Sequence, residues 1–144
     1  MPLKTPYIEP ITYCLLLKLP HTCHIEVGKI GDITFSGGIY AYIGSAKRNA
    51  QHRLNRHWMG SGKKKWHIDY LRAQSHPIAV WGFDQTILQE CKLADTMECL
   101  SMENIPRFGS SDCHCPSHLY FCESEGIVEA ILANFEHALI FYAK

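Results

Sequence analysis

The chain lacks an excess of charge of either sign: its 144 residues carry 14 Lys and Arg against 14 Asp and Glu. A bulk positive potential therefore cannot be what brings it to a nucleic acid. Long apolar runs are missing as well, and none approaches the ~20 residues that a membrane-spanning helix needs. No basic start leads into an apolar stretch and a small-residue cleavage site, so the sequence predicts a cytoplasmic chain with no membrane attachment. Internal repeats, low-complexity tracts and linkers long enough to divide domains are absent too. The seven cysteines (Cys14, Cys23, Cys91, Cys99, Cys113, Cys115 and Cys122) are odd in number and irregularly spaced. That pattern reads as reduced thiols rather than a disulfide framework.

What is present suits one folded unit. Apolar residues make up 47% of the chain, enough for a core without staples. Residues 1–10 hold three prolines and read as a flexible N-terminal arm; residues 11–144 read as a single domain. Charge is unevenly placed within it. Lys47, Arg48, Arg53, Arg56, Lys63, Lys64, Lys65 and Arg72 share one short stretch with a single acid, Asp69. After Ala73 only Lys92, Arg107 and Lys144 face ten acids. Such a stretch suits a local phosphate-binding face, with a solvated helix end as the alternative.

Residues 11–19 (ITYCLLLKL), between Pro10 and Pro20, predict a strand, and residues 24–27 a second. Gly31 and Asp32 are expected to turn the chain into a third strand at residues 39–43, stopping at Gly44. Helical patterns follow at residues 46–59 and 66–74, then a strand at 77–83 and a helix at 86–102. An irregular loop at 108–117, a strand at 119–122 and a closing helix at 127–139 complete the chain. The expected fold class is α+β, a small and mostly antiparallel sheet flanked by helices.

The third strand and its helix read GGIYAYIGSAKRNAQHRLNRHW. Tyr40 and Tyr42 are two apart and so share a strand face. Gly44 would let the backbone turn sharply into the helix, and Ser45 would cap it. On the helix Arg53, Arg56 and His57 lie close to one face. Phenols, guanidinium and imidazole thus meet near one strand–helix junction, and a guanidinium can hold two phosphate oxygens at once. Each residue alone has a plain reading, as core tyrosine or solvent-facing arginine; the conjunction points to chemistry.

These residues resemble the GIY-YIG nuclease superfamily. The likeness rests on Tyr42-Ile43-Gly44, then Arg53 and His57 at the family's helix spacing. The run from Gly37 to Ala46, WHIDYL from Trp66 and FGSSDCHCPSHL from Phe108 resemble a narrower branch, long labelled a domain of unknown function. Some members of that branch are fused to endonuclease III-type repair enzymes, which implies a repair-protein partner. GIYAYIG, Gly38 to Gly44, spells the family name without a gap, yet the two halves belong on neighbouring strands and seven continuous residues leave no room for a turn. The first-strand tyrosine implied by the resemblance is therefore Tyr13, although Ile11 stands where the family has glycine.

The resemblance implies a metal-dependent endonuclease that hydrolyses the phosphodiester bonds of DNA, in repair or on single strands. Tyr13, Tyr42, Arg53, His57 and Glu90 would be catalytic, with Tyr40, Gly44 and Ser45 in support. Tyr13 or Tyr42 would help deprotonate water, Arg53 would stabilise the transition state, and Glu90 would hold Mg2+ or Mn2+. His57 is left open between base and phosphate contact. Lys47, Arg56, Lys63, Lys64, Lys65, Trp66 and His67 form the candidate nucleic-acid face, with Trp66 able to stack on a base. A locally satisfied helix is the competing reading of Trp66 to Tyr70. In the loop, Cys113, Cys115 and His118 could ligate zinc, but one loop alone is tight for a tetrahedral site. The main expectation there is a rigid loop with Ser111 and Asp112 hydrogen-bonded to backbone. Two other readings remain: a nucleic-acid-binding module without catalysis, and a zinc or thiol sensor built on this loop.

Overall fold

A strand whose side chains are apolar on both faces has to lie between two cores, and Ile11–Leu19 (β1) does. The computed structural model of the chain describes residues 9–60, 63–100 and 102–143. β1 is paired on one side with Gly38–Ala46 (β4) and on the other with His76–Asp84 (β5), both antiparallel. Alternate residues of β1 enter the two cores, Tyr13, Leu15 and Leu17 on one face and Cys14 and Leu16 on the other. Glu103–Asn104 (β6), Leu119–Cys122 (β7) and Ala138–Tyr142 (β8) complete a six-stranded sheet in the order β6-β7-β4-β1-β5-β8.

Helices Ala50–Met59 (α1) and His67–Arg72 (α2) cover the first face through Leu54, Ile68 and Leu71. The separate hairpin of Cys23–Val27 (β2) and Gly31–Phe35 (β3) adds Ile25, Val27 and Phe35 to that layer. Glu90–Cys99 (α3) and Glu125–Leu132 (α4) cover the second face with Leu93, Met97, Val128 and Leu132. The expected α+β class with an antiparallel sheet holds. No helix among the described residues is long and apolar enough to cross a membrane.

Several boundaries differ from the sequence expectations. Gly31 and Asp32 begin β3, and a single 3-10 turn at Gly28–Ile30 reverses the chain. β4 continues through Gly44 to Ala46, so Gly44 is not the turn into the helix and Ser45 is not its cap. The first residue before α1 is Asn49, in the left-handed region and without a side-chain capping bond. The cap comes from a distance: the Ala50 amide donates to a Glu9 carboxylate oxygen at 2.6 Å, where negative charge suits a helix N-terminus. Of the expected N-terminal arm, residues 1–8 lie outside the described residues, while Glu9 and Pro10 are fastened, Pro10 by the Gln85 amide.

The expected helix at 86–102 starts only at Glu90, because Asp84 holds Thr86 in a side-chain-bonded turn. The closing helix stops at Leu132, and the apolar run after it is the edge strand β8.

Candidate active site

Tyr13 lies opposite Gly44 in the β1–β4 register, and Tyr42 two residues earlier on β4 shares that face. Gly44 has a role the sequence reading missed. A Cβ there would stand 2.5 Å from Tyr13 Cζ, so only glycine lets the Tyr13 ring lie across β4. Tyr42 has a matching clearance: a Cβ on Gly109 would come within 2.9 Å of its Cε1. Both phenols thus rest over glycine backbone, with ring centroids 6.4 Å apart.

Behind Tyr13 sits His57, 2% exposed. The Tyr13 hydroxyl and His57 Nε2 are 2.9 Å apart. His57 Nδ1 is buried with no hydrogen-bond partner among the described residues, and Asp69 Oδ1 is 3.9 Å away. Burial lowers the His57 pKa to about 4; Asp69 pulls it up, while Arg53, Arg56 and Arg72 push it further down. The ring is therefore neutral near pH 7. Burial also holds the Tyr13 and Tyr42 phenols well above their ordinary range, and Arg53 opposes that rise in both.

Arg53 reaches the same place from α1. Its Nη1 donates to the Ser45 carbonyl at 2.6 Å, so Ser45 serves as an anchor for Arg53 rather than as a helix cap. Its guanidinium carbon is 4.6 Å from the Trp66 ring centroid; Arg56 and Lys65 bring their cationic ends to 4.8 and 4.9 Å. Three cationic groups of the protein thus surround the Trp66 ring. Arg56 also has an internal role: it pairs with Asp69 at 2.9 Å and donates to the Lys63 carbonyl. Asp69 also accepts from the Lys65 and Trp66 amides, which fixes the start of α2.

Glu90 arrives from the other layer of the molecule. β7 pairs with β4 only as far as Tyr42 opposite Leu119, so beyond it this β4 edge has no strand neighbour among the described residues. Thr12 donates to the Leu88 carbonyl at 2.6 Å and holds the chain that leads into α3. Glu90, the first residue of α3, then faces Tyr13, Tyr42, Gly44, Ser45, Arg53 and Trp66 across a cleft of about 180 Å3. Asp112 and His118 line it too. Asp112 is a second carboxylate there, although the sequence reading gave it only backbone bonds. Among the described residues neither Ser111 nor Asp112 makes a side-chain hydrogen bond; Ser117 does, to the Leu119 backbone.

The supporting residues divide. Tyr40 shares the face of Tyr42 but donates to the Ser36 carbonyl at 2.6 Å and packs on Phe35 and Phe121, outside the cleft. His67 accepts the Gly109 amide at Nδ1, 2.8 Å, and so pins the loop under Tyr42. The locally satisfied reading of this helix therefore accounts for Trp66, His67 and Asp69. Lys47, Lys63, Lys64 and Lys65 are exposed. A second, wider groove of about 770 Å3 adjoins the cleft at Trp66 and Cys113 and gains Lys29, Tyr70 and Arg107. Lys29 and Arg107 were missed because neither belongs to the basic run in sequence.

The loop also differs from expectation. Cys113, Cys115 and His118 do not stand alone: Cys91, on the first turn of α3, completes a group whose ligand atoms lie within 4.8 Å of one another. A Cys3His set of this kind could hold a metal ion. The pairing was hidden in sequence because the fourth member sits on a different element.

Fold and site together define a small α+β domain with phenol, guanidinium and carboxylate groups converging where β7 ends beside the central strand β4. The chain belongs to the family described as domain of unknown function DUF123, which it matches over residues 12–140. No curated protein and no solved structure matches it.

Proposed function

We propose that the protein is a divalent-metal-dependent endonuclease that hydrolyses DNA phosphodiester bonds, in the manner of the GIY-YIG nucleases its motifs resemble. One observation supports this most. Tyr13, Tyr42, Arg53 and Glu90 come from β1, β4, α1 and α3, yet all four line the same cleft. They are four of the five side chains the resemblance assigns to catalysis; the fifth, His57, stands behind Tyr13.

The cleft can accept a phosphodiester with Arg53 against its non-bridging oxygens. Water attacks phosphorus, and the bond to the 3′ oxygen breaks. As the water loses its proton to the Tyr13 oxygen, Tyr13 passes its own proton to neutral His57 Nε2. Asp69, 3.9 Å from Nδ1, offsets part of the cost that burial, Arg53, Arg56 and Arg72 place on the imidazolium that results. The high phenol pKa values make a free tyrosinate costly, so the concerted relay is the better route. Arg53 is worth most where charge grows on the phosphorus oxygens. Glu90, with Asp112 lining the same cleft, suits magnesium or manganese, which keep several waters and take few carboxylates. That cation would supply Lewis acidity at the leaving 3′ oxygen.

The test is cleavage of single- and double-stranded DNA by the full chain, in metal-depleted buffer and with added magnesium or manganese. Cleavage that appears only with added metal supports the reading. DNA binding without cleavage under any of these metals would replace it with a non-catalytic binding module.

A further inference from the structure

We propose that Cys91, Cys113, Cys115 and His118 form a structural zinc site that clamps the 108–118 loop to the start of α3. The inference stands on these four side chains and does not depend on the nuclease reading.

Geometry carries it. A zinc tetrahedron with Zn–S of about 2.3 Å and Zn–N of about 2.0 Å has edges of about 3.5–3.8 Å. His118 Nε2 lies 3.5 Å from Cys113 Sγ and 3.9 Å from Cys91 Sγ, and all four ligand atoms fall within 4.8 Å. The imidazole is also turned the right way for a metal. Nε2 faces the thiols, while Nδ1 points at Glu90 Oε2, 3.7 Å away. A carboxylate behind a ligating histidine fixes its tautomer and orientation. Three thiols and one imidazole are soft and borderline donors, which select zinc over the hard cation suited to Glu90.

Placement gives the site its purpose. Among the four, Cys91 alone belongs to a regular element, α3; the others sit on a loop with little secondary structure. The His118 carbonyl accepts the Ile43 amide of β4 at 2.8 Å, and the His118 amide donates to Phe108. A metal here would join α3, the loop and the β4 edge next to Tyr42. It would thereby set the wall of the cleft that carries Glu90 and Asp112.

The experiment is metal analysis of the full chain purified under reducing conditions, followed by exchange into cobalt(II). The site is expected to hold about one zinc per chain, and cobalt should give tetrahedral d–d bands with thiolate charge transfer. Cys91→Ser should lose most of the metal, and Cys99→Ser, on the same helix but outside the group, should retain it. His118→Cys keeps four ligands and should shift the cobalt spectrum while still binding, a readout that survives if Cys91→Ser fails to fold. Zinc-free protein that takes up no cobalt would overturn the proposal. So would iron in place of zinc, or a Cys91→Ser variant that is folded and fully loaded.

Discussion

On one wall of the cleft Tyr13 and Tyr42 stand on paired strands, over glycine, with His57 and Arg53 locked behind them by 2.9 and 2.6 Å hydrogen bonds. The opposite wall is an irregular loop and the first turn of a helix, and within it a set of soft donors converges on one point. The first wall is positioned by period and packing, so it should resist metal removal and respond to side-chain volume. The second is held by a few backbone bonds and, on the zinc reading, by ligand chemistry, so it should respond to metal removal where the first does not. Glu90 belongs to both: it lines the cleft and stands behind His118.

The largest effects should come from the charges in the cleft, and they separate the walls. Arg53→Ala is expected to lower turnover about a hundred- to a thousandfold with a smaller change in DNA binding, because its work falls on transition-state charge. Added magnesium should not rescue it. Glu90→Gln should lose comparable activity and regain part of it at high magnesium, since the missing contribution is metal affinity. Magnesium titrations of cleavage rate for both variants, with circular dichroism as the folding check, read this out. If Arg53→Ala cleaves at the unmodified rate, the site lies elsewhere.

His57 gives the aromatic wall a pH signature. Above pH 6.5 the residue is neutral folded and unfolded. Between 6.5 and about 4 the unfolded chain takes up a proton that buried His57 does not. Stability should therefore fall as pH drops through that window, by roughly 3 kcal/mol in total, and not fall further on this account below it. Urea denaturation from pH 7.5 to 4 measures the slope, and His57→Phe should flatten it. An unchanged slope in that variant would mean that other groups carry it.

Glycine clearance comes next in size. Gly44→Ala would place a methyl 2.5 Å from Tyr13, a rigid ring with His57 behind it. About 1–3 kcal/mol of overpacking is expected, read as a lower denaturation midpoint at constant slope. The double variant Gly44→Ala with Tyr13→Leu should recover much of that stability without activity. If the single variant is neutral, the ring has room that the register does not suggest.

How much of this was legible in sequence follows the same divide. β1 and β7 run where the apolar patterns put them, and period two placed Tyr13 and Tyr42 on one face once β1 was set beside β4. Gly44 misled because glycine at a strand end reads as a stop, whereas its missing side chain is needed for clearance across the sheet. A basic run near an indole reads as an outward face, and the sequence does not disclose that Asp69, the only acid in the run, pairs with Arg56. Cys91 was invisible as a ligand because only the tertiary fold brings α3 to the loop. Local periodicity reports which face a residue takes, and it is silent on what meets that face from a distant element.

The smallest effect should come from the lysines outside both walls, and it decides whether the cleft has a strand-binding approach. Lys63, Lys64 and Lys65 are exposed beside Trp66, and the bond from Arg56 to the Lys63 carbonyl survives truncation to alanine. Each lysine that neutralises a phosphate contributes a salt slope of about −0.7 on single strands or −0.9 on duplex. Replacing all three should therefore flatten the slope by up to about 2 on single strands while leaving turnover at saturating DNA and low salt near the unmodified value. Lys65 differs from the others in sitting 4.9 Å from the Trp66 centroid, so Lys65→Ala alone should have the smaller share of the slope. Binding isotherms at several salt concentrations separate these contributions. An unchanged slope would move the approach to the adjoining groove, where Lys29 and Arg107 supply the cations.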